Sequence, residues 1–187
     1  VEDAAASSPG LAFLLATRSK FGAGWQDYWQ KLMANGTFVA NDWSEAYLTQ
    51  FTAGGDGSYP LVVSYSTSPA AEIIYGGDSA PEVPRTSVLD DGCFKQTEYA
   101  GILSASKNQA GAKQILNWLQ SEVFQNDIPT QMLMYPISNA VALPESILMY
   151  GAEPKSVVAE LNLTPAEIQQ LLSQWQSITP VSYTHLR

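Results

Sequence analysis

Hydrophobic and polar residues follow two different periods along the chain, one typical of helices and one typical of strands. The helical period predicts helices over 9–21, 25–33, 42–51, a segment that begins at Ser68-Pro69, 109–124, and 165–178. Runs of β-branched and aromatic residues predict strands or extended segments at 37–40, 60–65, 96–104 and 132–137. Because the two kinds of element alternate, the pattern predicts an α/β domain.

Polar residues at the starts of these helices suggest how their first turns are satisfied. Asp42 stands three residues before Glu45 and Thr164 three residues before Glu167, which is the spacing of a capping box. Ser8-Pro9-Gly10 and Ser68-Pro69-Ala70 each place a hydroxyl before a proline in the first turn. Ordinary capping explains either motif by itself. Together they also predict exposed backbone amides that attract an anion or a polar ligand group.

Composition adds the size and the chemical character of the molecule. A chain of 187 residues with 45% hydrophobic content is large enough to bury a core. A set of tryptophans on apolar helix faces is expected in that core: Trp25, Trp29, Trp118 and Trp175. The net charge of −9 argues against a nucleic-acid surface. The longest apolar run, Leu11 to Ala16, is far shorter than the roughly 20 residues that cross a bilayer.

The two ends of the chain and its rare residues limit the chemistry further. The opening VEDAAASSPG has neither an initiator methionine nor a signal sequence, so we expect the natural N-terminus to lie upstream. Residues 180–187 continue no pattern and resemble a translated sequencing adaptor, so we expect a non-native tail that contains the only histidine, His185. The only cysteine, Cys93, is expected to be a buried thiol, and it forms neither an intrachain disulfide nor a multi-cysteine metal site.

Catalysis finds little support in these residue types. A serine nucleophile needs a neighbouring base, and the only histidine lies in the doubtful tail. A carboxylate-dependent hydrolase remains a less favoured alternative, with no spacing that singles out a pair among Glu45, Asp90, Asp91 and Glu98. A passive interaction module would leave the ordered serine and tryptophan motifs without a purpose. We therefore expect a binding protein rather than an enzyme.

A set of motifs in a fixed order leads to a family: SSPGLAFLLAT, GWQDYW, DWSEAY, VVSYSTSPA, CFKQTEYAGIL, FQNDIPTQMLMYP and AEIQQLLSQWQ. In this order, up to about Ile178, the chain resembles the distal part of the bacterial thiamine-binding solute receptors of ABC transporters. The resemblance implies a periplasmic-binding-protein-like fold of the second topological type, in which two lobes close on a ligand. Residues 1–95 would form the second lobe, and 96–179 would supply the hinge return strand and the helices that complete the lobes. Most of the first lobe would be absent.

The resemblance also implies a function and a location. The chain would be an extracytoplasmic receptor that binds thiamine or its phosphates between the lobes and delivers them to a membrane permease, without a cofactor. It would be periplasmic, or lipid-anchored in a monoderm bacterium. A receptor of the same fold for another small ligand, such as a polyamine or a ferric complex, is the alternative.

The implied ligand-binding residues are Ser7, Ser8, Gly10, Trp43, Tyr65, Ser66 and Ser68. Thiamine carries a flat aminopyrimidine and a cationic thiazolium, and both are attracted to aromatic faces by about 0.5 to 2 kcal/mol each. One position departs from the receptors' pattern, because Ala71 stands where they often carry a second tyrosine, six residues after Tyr65. Either another aromatic side chain substitutes for that tyrosine, or the ligand is a related cationic heterocycle, a polyamine or a metal complex.

Overall fold

The computed structural model describes two compact units of the chain. The described residues are 1–89, 91–151, 157–159 and 161–179. Of these, the first unit contains 1–65, 91–95, 157–159 and 161–179, and the second contains 66–89 and 96–151. Asp90 and the expected tail at 180–187 lie outside the described residues.

Helices account for the regular structure of both units. In chain order they are α1 (Ser8–Phe21), α2 (Trp25–Ala34), α3 (Ser68–Ile74), α4 (Gln109–Leu119), α5 (Glu122–Asp127), α6 (Glu145–Tyr150) and α7 (Pro165–Ile178). Wider π-helical turns occupy Glu45–Gln50 and Ile128–Met132, and 3₁₀ turns occupy Gly22–Gly24 and Gly77–Ser79. Among the described residues, no helix combines the length and the apolar composition that a bilayer span requires.

The core of the first unit is built where α2 meets α1 and α7. Trp29 is fully buried, and its ring lies edge-on against Trp175 and Phe13, with centroids 5.6 and 5.5 Å away. Its indole Nε1 donates to Thr17 Oγ1 at 2.8 Å, and that hydroxyl donates to the carbonyl of Leu14 at 2.8 Å. The hydrogen bonds remove the cost of burying the indole N–H, so the tryptophan can serve as a core residue.

Several helix predictions are confirmed and two are wrong. Helices α1, α2 and α7 lie within one residue of their predicted bounds. The Thr164 hydroxyl caps α7 in the predicted capping box with Glu167. The helix predicted over 109–124 is broken between α4 and α5, because Ser121 caps a new helix by accepting from the Phe124 N–H. Helix α6 was not predicted, since its six residues carry too short a pattern.

The predicted strands do not form in the described residues. Segments 37–40, 60–65, 96–104 and 132–137 contain no strand there. Pairing is limited to isolated parallel bridges between Glu2 and Ala40, Phe51 and Tyr59, and Cys93 and Val157. A strand is defined by its hydrogen-bonded neighbour, and these segments find few neighbours in the described chain. The α/β class predicted from the sequence is therefore not confirmed by the described elements.

The second unit is more open than the first. Helix α3 packs against α6, and α4 packs against α5, where the rings of Trp118 and Phe124 lie 4.7 Å apart. No residue of α4 is buried, and Trp118 is 52% exposed. The expectation that Trp118 is a core residue is wrong, because α4 has no other layer of the unit to cover it. Trp25, Trp29 and Trp175 are buried as predicted.

Candidate functional site

An aromatic cluster in the first unit contains two of the predicted site residues. Trp43 stacks on Tyr47 with ring centroids 4.9 Å apart and an angle of 16°, and Tyr65 lies 6.3 Å from Trp43 at 47°. The Trp43 Nε1 donates to Ser64 Oγ at 2.9 Å, which fixes the plane of the indole. Tyr65 is 49% exposed and Trp43 is half-buried, so both rings keep surface that a ligand can reach.

The turn that carries Trp43 and Tyr47 has an unusual hydrogen-bond pattern. The Phe51 N–H donates to the Ala46 carbonyl at 3.0 Å, which is the five-residue spacing of a π-helix. Before it, Asp42 Oδ1 accepts from the Glu45 N–H at 2.8 Å, and Glu45 Oε2 accepts from the Asn41 N–H at 2.8 Å. The predicted Asp42 cap therefore forms, but it leads into a π-helical turn rather than the regular helix predicted over 42–51. Such turns are frequent at functional sites.

The glycine-rich loop after this turn packs directly on its backbone. A Cβ on Gly54 would overlap the carbonyl oxygen of Tyr47, and a Cβ on Gly57 would overlap that of Gln50. Glycine is required at these places because only a residue without a side chain allows two backbones to approach so closely. The loop therefore supports the aromatic cluster from behind, which a purely flexible turn would not do.

The start of α1 contains three more of the predicted residues. Ser7 is the N-cap residue in an extended conformation, but its side chain makes no capping hydrogen bond, and Ser8 is the exposed first residue of the helix. The predicted capping role of Ser8 is wrong for this reason. Gly10 is buried, and a Cβ there would lie 2.6 Å from the Glu2 carbonyl oxygen and 2.8 Å from that of Asp3. Its smallness allows α1 to lie against the segment that precedes it.

A parallel bridge connects these two parts of the first unit. The Asp3 N–H donates to the Ala40 carbonyl at 2.7 Å, and the Ala40 N–H donates to the Val1 carbonyl at 2.8 Å. Because the pairing is parallel, the residues that follow Glu2 and those that follow Ala40 leave the bridge in the same direction. Ser7, Ser8 and Trp43 therefore come after the same end of the bridge, which is where α/β folds hold ligands.

The remaining predicted residues, Ser66 and Ser68, belong to the second unit. Ser68 is buried as the first residue of α3, and Ser66 is half-buried before it. The residue between them, Thr67, is the N-cap and donates its hydroxyl to the Leu133 carbonyl at 2.7 Å. As at α1, the serine predicted to cap the helix lies inside its first turn. The structure thus brings Trp43 and Tyr65 together in one cluster and places Ser66 and Ser68 in the other unit.

Ala71 borders a cavity of about 490 Å³ within the second unit. Tyr75, one helical turn later on α3, lines the same cavity, and its hydroxyl donates to the Thr130 carbonyl at 2.8 Å. Glu72 accepts hydrogen bonds from the N–H and Nε of Arg85 at 2.9 and 3.3 Å, which closes the loop between them. An aromatic ring therefore stands beside the position where the receptors' second tyrosine is absent.

The ionisation of Glu72 follows from these contacts. Burial by itself raises the pKa of the carboxyl, but the hydrogen bonds from Thr86 and Arg85 and the Arg85 charge favour the ionised form. Together they hold the pKa of Glu72 below its ordinary value. The carboxylate therefore stays charged at neutral pH and anchors Arg85 beside the cavity.

Three aromatic and hydroxyl residues were missed by the sequence reasoning: Tyr47, Ser64 and Tyr75. Tyr47 lies four residues after Trp43, and Tyr75 lies four residues after Ala71, so helical spacing was a usable signal for both. Ser64 could not be found in this way, because its contact with Trp43 spans 21 residues.

Comparison with known proteins identifies clear relatives. The chain is 35% identical over 179 residues to the thiamine-binding periplasmic protein of Salmonella typhimurium, a match that covers 94% of this chain and 51% of the relative. The protein of the same description from Escherichia coli matches with 35% identity over 180 residues, and that of Brucella suis with 31% over 136 residues. The chain thus spans about half the length of the first two relatives. No family model matches it.

A solved structure described as a periplasmic thiamin binding protein gives the same result for the fold. Its TM-score is 0.75 at 34% sequence identity, and the match covers 95% of this chain and 53% of that chain. The resemblance predicted from the sequence motifs is confirmed. The described elements therefore have the arrangement of about half of a periplasmic binding protein.

Proposed function

Because the chain resembles the thiamine-binding periplasmic proteins along 94% of its length and spans about half of theirs, we propose that it is part of a periplasmic thiamine receptor. The receptor binds thiamine or its phosphates and delivers them to the permease of an ABC importer. In a monoderm bacterium it is held outside the membrane by a lipid anchor. It acts by binding and lobe closure rather than by catalysis.

The finer fold assignment belongs to the same proposal. We assign the chain to a two-lobed α/β binding protein of the second topological type, with residues 1–95 in the second lobe and 96–179 in the return towards the first. The TM-score of 0.75 supports this assignment. The parallel direction of the bridges supports it too, because parallel pairing is typical of α/β sheets covered by helices.

The cluster of Trp43, Tyr47 and Tyr65 is the observation that carries the proposal. Its rings offer partly exposed π-faces, and a thiazolium cation over such a face gains about 0.5 to 2 kcal/mol. The hydrogen bond from Trp43 to Ser64 holds the indole in place before the ligand arrives, which reduces the entropy cost of binding. An aromatic cluster of this kind suits thiamine better than it suits a small anion.

Polar groups of the same unit would satisfy the edges of the ligand. The Ser7 side chain is not used for capping, Ser8 is exposed, and the first backbone amides of α1 carry the positive end of the helix dipole. A phosphate on the ligand is the natural partner for such amides. In the second unit, Ser66 and Ser68 are the further hydroxyls that we assign to the ligand.

The cavity beside Ala71 favours a second candidate, which is a receptor for a related cationic ligand of different size. A tyrosine at position 71 would project into the space that Ala71 leaves open. Tyr75 offers an aromatic wall to a ligand that enters this space. A ligand bulkier than thiamine is therefore the alternative that this observation supports.

The carboxylates that could serve a hydrolase have structural partners instead. Glu45 accepts from the Asn41 backbone, Asp91 pairs with Lys20 at 2.6 Å, and Glu98 accepts from Gln96 at 2.6 Å. Within the described part of the chain, no group of three or more acidic, cysteine or histidine side chains is arranged to hold a metal ion. These contacts give the hydrolase alternative no support.

The proposal is tested by titrating ligands into two proteins: this chain alone, and this chain joined to the half of the Salmonella typhimurium protein that the match leaves uncovered. Thiamine, thiamine phosphates, spermidine and ferric citrate are compared by tryptophan fluorescence and calorimetry. We expect saturable binding of thiamine forms by the joined protein and weak or no binding by the chain alone. Selective binding of spermidine or ferric citrate would remove thiamine from the proposal.

Variants of the cluster locate the site within the joined protein. Trp43→Ala and Tyr65→Ala are each expected to weaken thiamine binding about 2- to 30-fold, which corresponds to 0.5 to 2 kcal/mol of stacking. Tyr65→Phe keeps the ring and should bind nearly as well as the original. Phe21→Ala removes a partly exposed ring that stacks on Tyr28 outside the cluster, and it serves as the matched control. Unchanged affinity in both alanine variants of the cluster would show that the ligand binds elsewhere.

A further inference from the structure

Residues 96–104 form a segment with the composition of a strand but without any strand partner. The sequence QTEYAGILS contains threonine, tyrosine, isoleucine and leucine, residue types that strands favour. Within the described chain, the backbone N–H and C=O groups of 96–102 make no hydrogen bond to other protein groups. A segment with these residues and an unsatisfied backbone is ready to join the edge of a sheet.

The side chains of this segment are also left uncovered. Tyr99 is 89% exposed and Leu103 is 80% exposed, and the two share one face when the segment is extended, because side chains alternate with a period of two. Ile102 would lie on the opposite face. Such large apolar side chains are usually covered in a finished protein when they form a contiguous patch.

The helix that follows has the same unfinished character. Helix α4 has an apolar face that includes Ile115 and Trp118, which are 58% and 52% exposed, yet none of its residues is buried. Val123 of α5, next to it, is 70% exposed. A strand followed by a helix with an uncovered apolar face is the sequential unit from which α/β sheets are built, because the helix then covers the sheet that its strand has joined.

The comparisons indicate what is available to cover this surface. The matched solved structure accounts for 95% of this chain, whereas this chain accounts for only 53% of it, so nearly half of that protein has no counterpart here. The unmatched half is also the natural source of a sheet edge, since the described residues contribute only isolated bridges. A second copy of this chain would bring the same unpaired segment and no sheet.

We propose that residues 96–104 add as a strand to the edge of a β-sheet in the half of the receptor that this chain does not span, with α4 packing over the joined sheet. The inference rests on the proposed function, because it takes the chain to be part of a receptor of this family. It predicts that the receptor can be assembled from two separate chains without a covalent connection and without ligand.

The test mixes this chain with the unmatched half of the Salmonella typhimurium protein, produced separately, in the absence of thiamine. Light scattering measures the stoichiometry, and hydrogen–deuterium exchange measures the protection of each segment. We expect a complex with one copy of each chain, in which the amides of 97–103 exchange at least about ten-fold more slowly than in this chain alone. No complex, or a complex in which these amides exchange unchanged, would overturn the proposal. A dimer of this chain alone with the same protection would also overturn it.

Two substitutions separate strand pairing from side-chain contact. Ala100→Pro removes a backbone N–H from the middle of the segment and is expected to weaken the complex at least about ten-fold. Ala100→Thr keeps the N–H and should associate as the original does. Ser87→Pro, in another exposed and irregular segment of the second unit, is the proline control and should have no effect. Equal association of Ala100→Pro and the original chain would contradict strand addition, whatever the result of the thiamine titrations.

Discussion

The two compact units differ in how completely they bury their apolar side chains. In the first unit, α1, α2 and α7 surround Trp29, whose ring is inaccessible to solvent and whose N–H is hydrogen-bonded. In the second unit, α4 has an equally apolar face but buries no residue, and Trp118 remains half exposed. Both helices carry a tryptophan on an amphipathic pattern. The difference teaches that the pattern shows which face seeks cover, while the cover itself comes from other segments.

The largest expected effect is the contrast between the two tryptophans. Trp29→Ala should lower the free energy of unfolding by about 3 to 5 kcal/mol, because it leaves a cavity in a closed core and an unpaired Thr17 hydroxyl. Trp118→Ala should cost about 1 kcal/mol or less, since most of its indole is already in water. Urea unfolding followed by circular dichroism measures both values. Equal losses would show that α4 is as well packed as α2.

A second contrast compares glycines in the two units. Gly57→Ala should lower the free energy of unfolding by about 1 to 3 kcal/mol, because its methyl group would overlap the carbonyl of Gln50 and displace the π-helical turn. Gly101→Ala in the second unit has open space around its Cβ and should change stability by less than about 1 kcal/mol. The same unfolding assay gives both numbers, and Trp43 fluorescence should shift only in Gly57→Ala.

The smallest expected effect is a difference in pH dependence between Glu2 of the first unit and Glu72 of the second. Burial raises the pKa of Glu2 above its ordinary 4.5, so its unfolded form releases its proton first and stability falls as the pH rises from 4.5 to the folded value. The hydrogen bonds described above lower the pKa of Glu72, so its contribution is present above 4.5 and is lost as the pH falls through the folded value.

Glutamine variants measure these opposite slopes. Glu2→Gln should be more stable than the original chain at pH 7, and the gain should disappear below pH 4.5. Glu72→Gln should be less stable at pH 7, and the loss should shrink as the solution is acidified. Chemical unfolding between pH 3 and 7 supplies the comparison. Parallel curves for the two variants would contradict the opposite shifts assigned to these carboxyls.

Much of the candidate site could be predicted from sequence because its motifs are local. Trp43 and Tyr65 were recognised from short runs of residues, and the structure places them in one cluster. Tyr47 was missed although it lies within the same run, because a π-helical turn rather than a regular helix sets its position. Ser64 was missed because it meets Trp43 only after the chain has folded back. The capping roles of Ser8 and Ser68 were wrong, since each helix begins one residue earlier than the proline motif suggests.

The sequence by itself determined the helices α1, α2 and α7, the capping box at Thr164 and the resemblance to a family of receptors. These features depend on residues within a few turns of one another, and short-range spacing records them directly. Only the tertiary structure decided that Gly10, Gly54 and Gly57 lie against other backbones, that Trp29 is covered, and that Trp118 is not. Burial and strand pairing are relations between distant segments, so a side chain's own neighbourhood in sequence does not contain them.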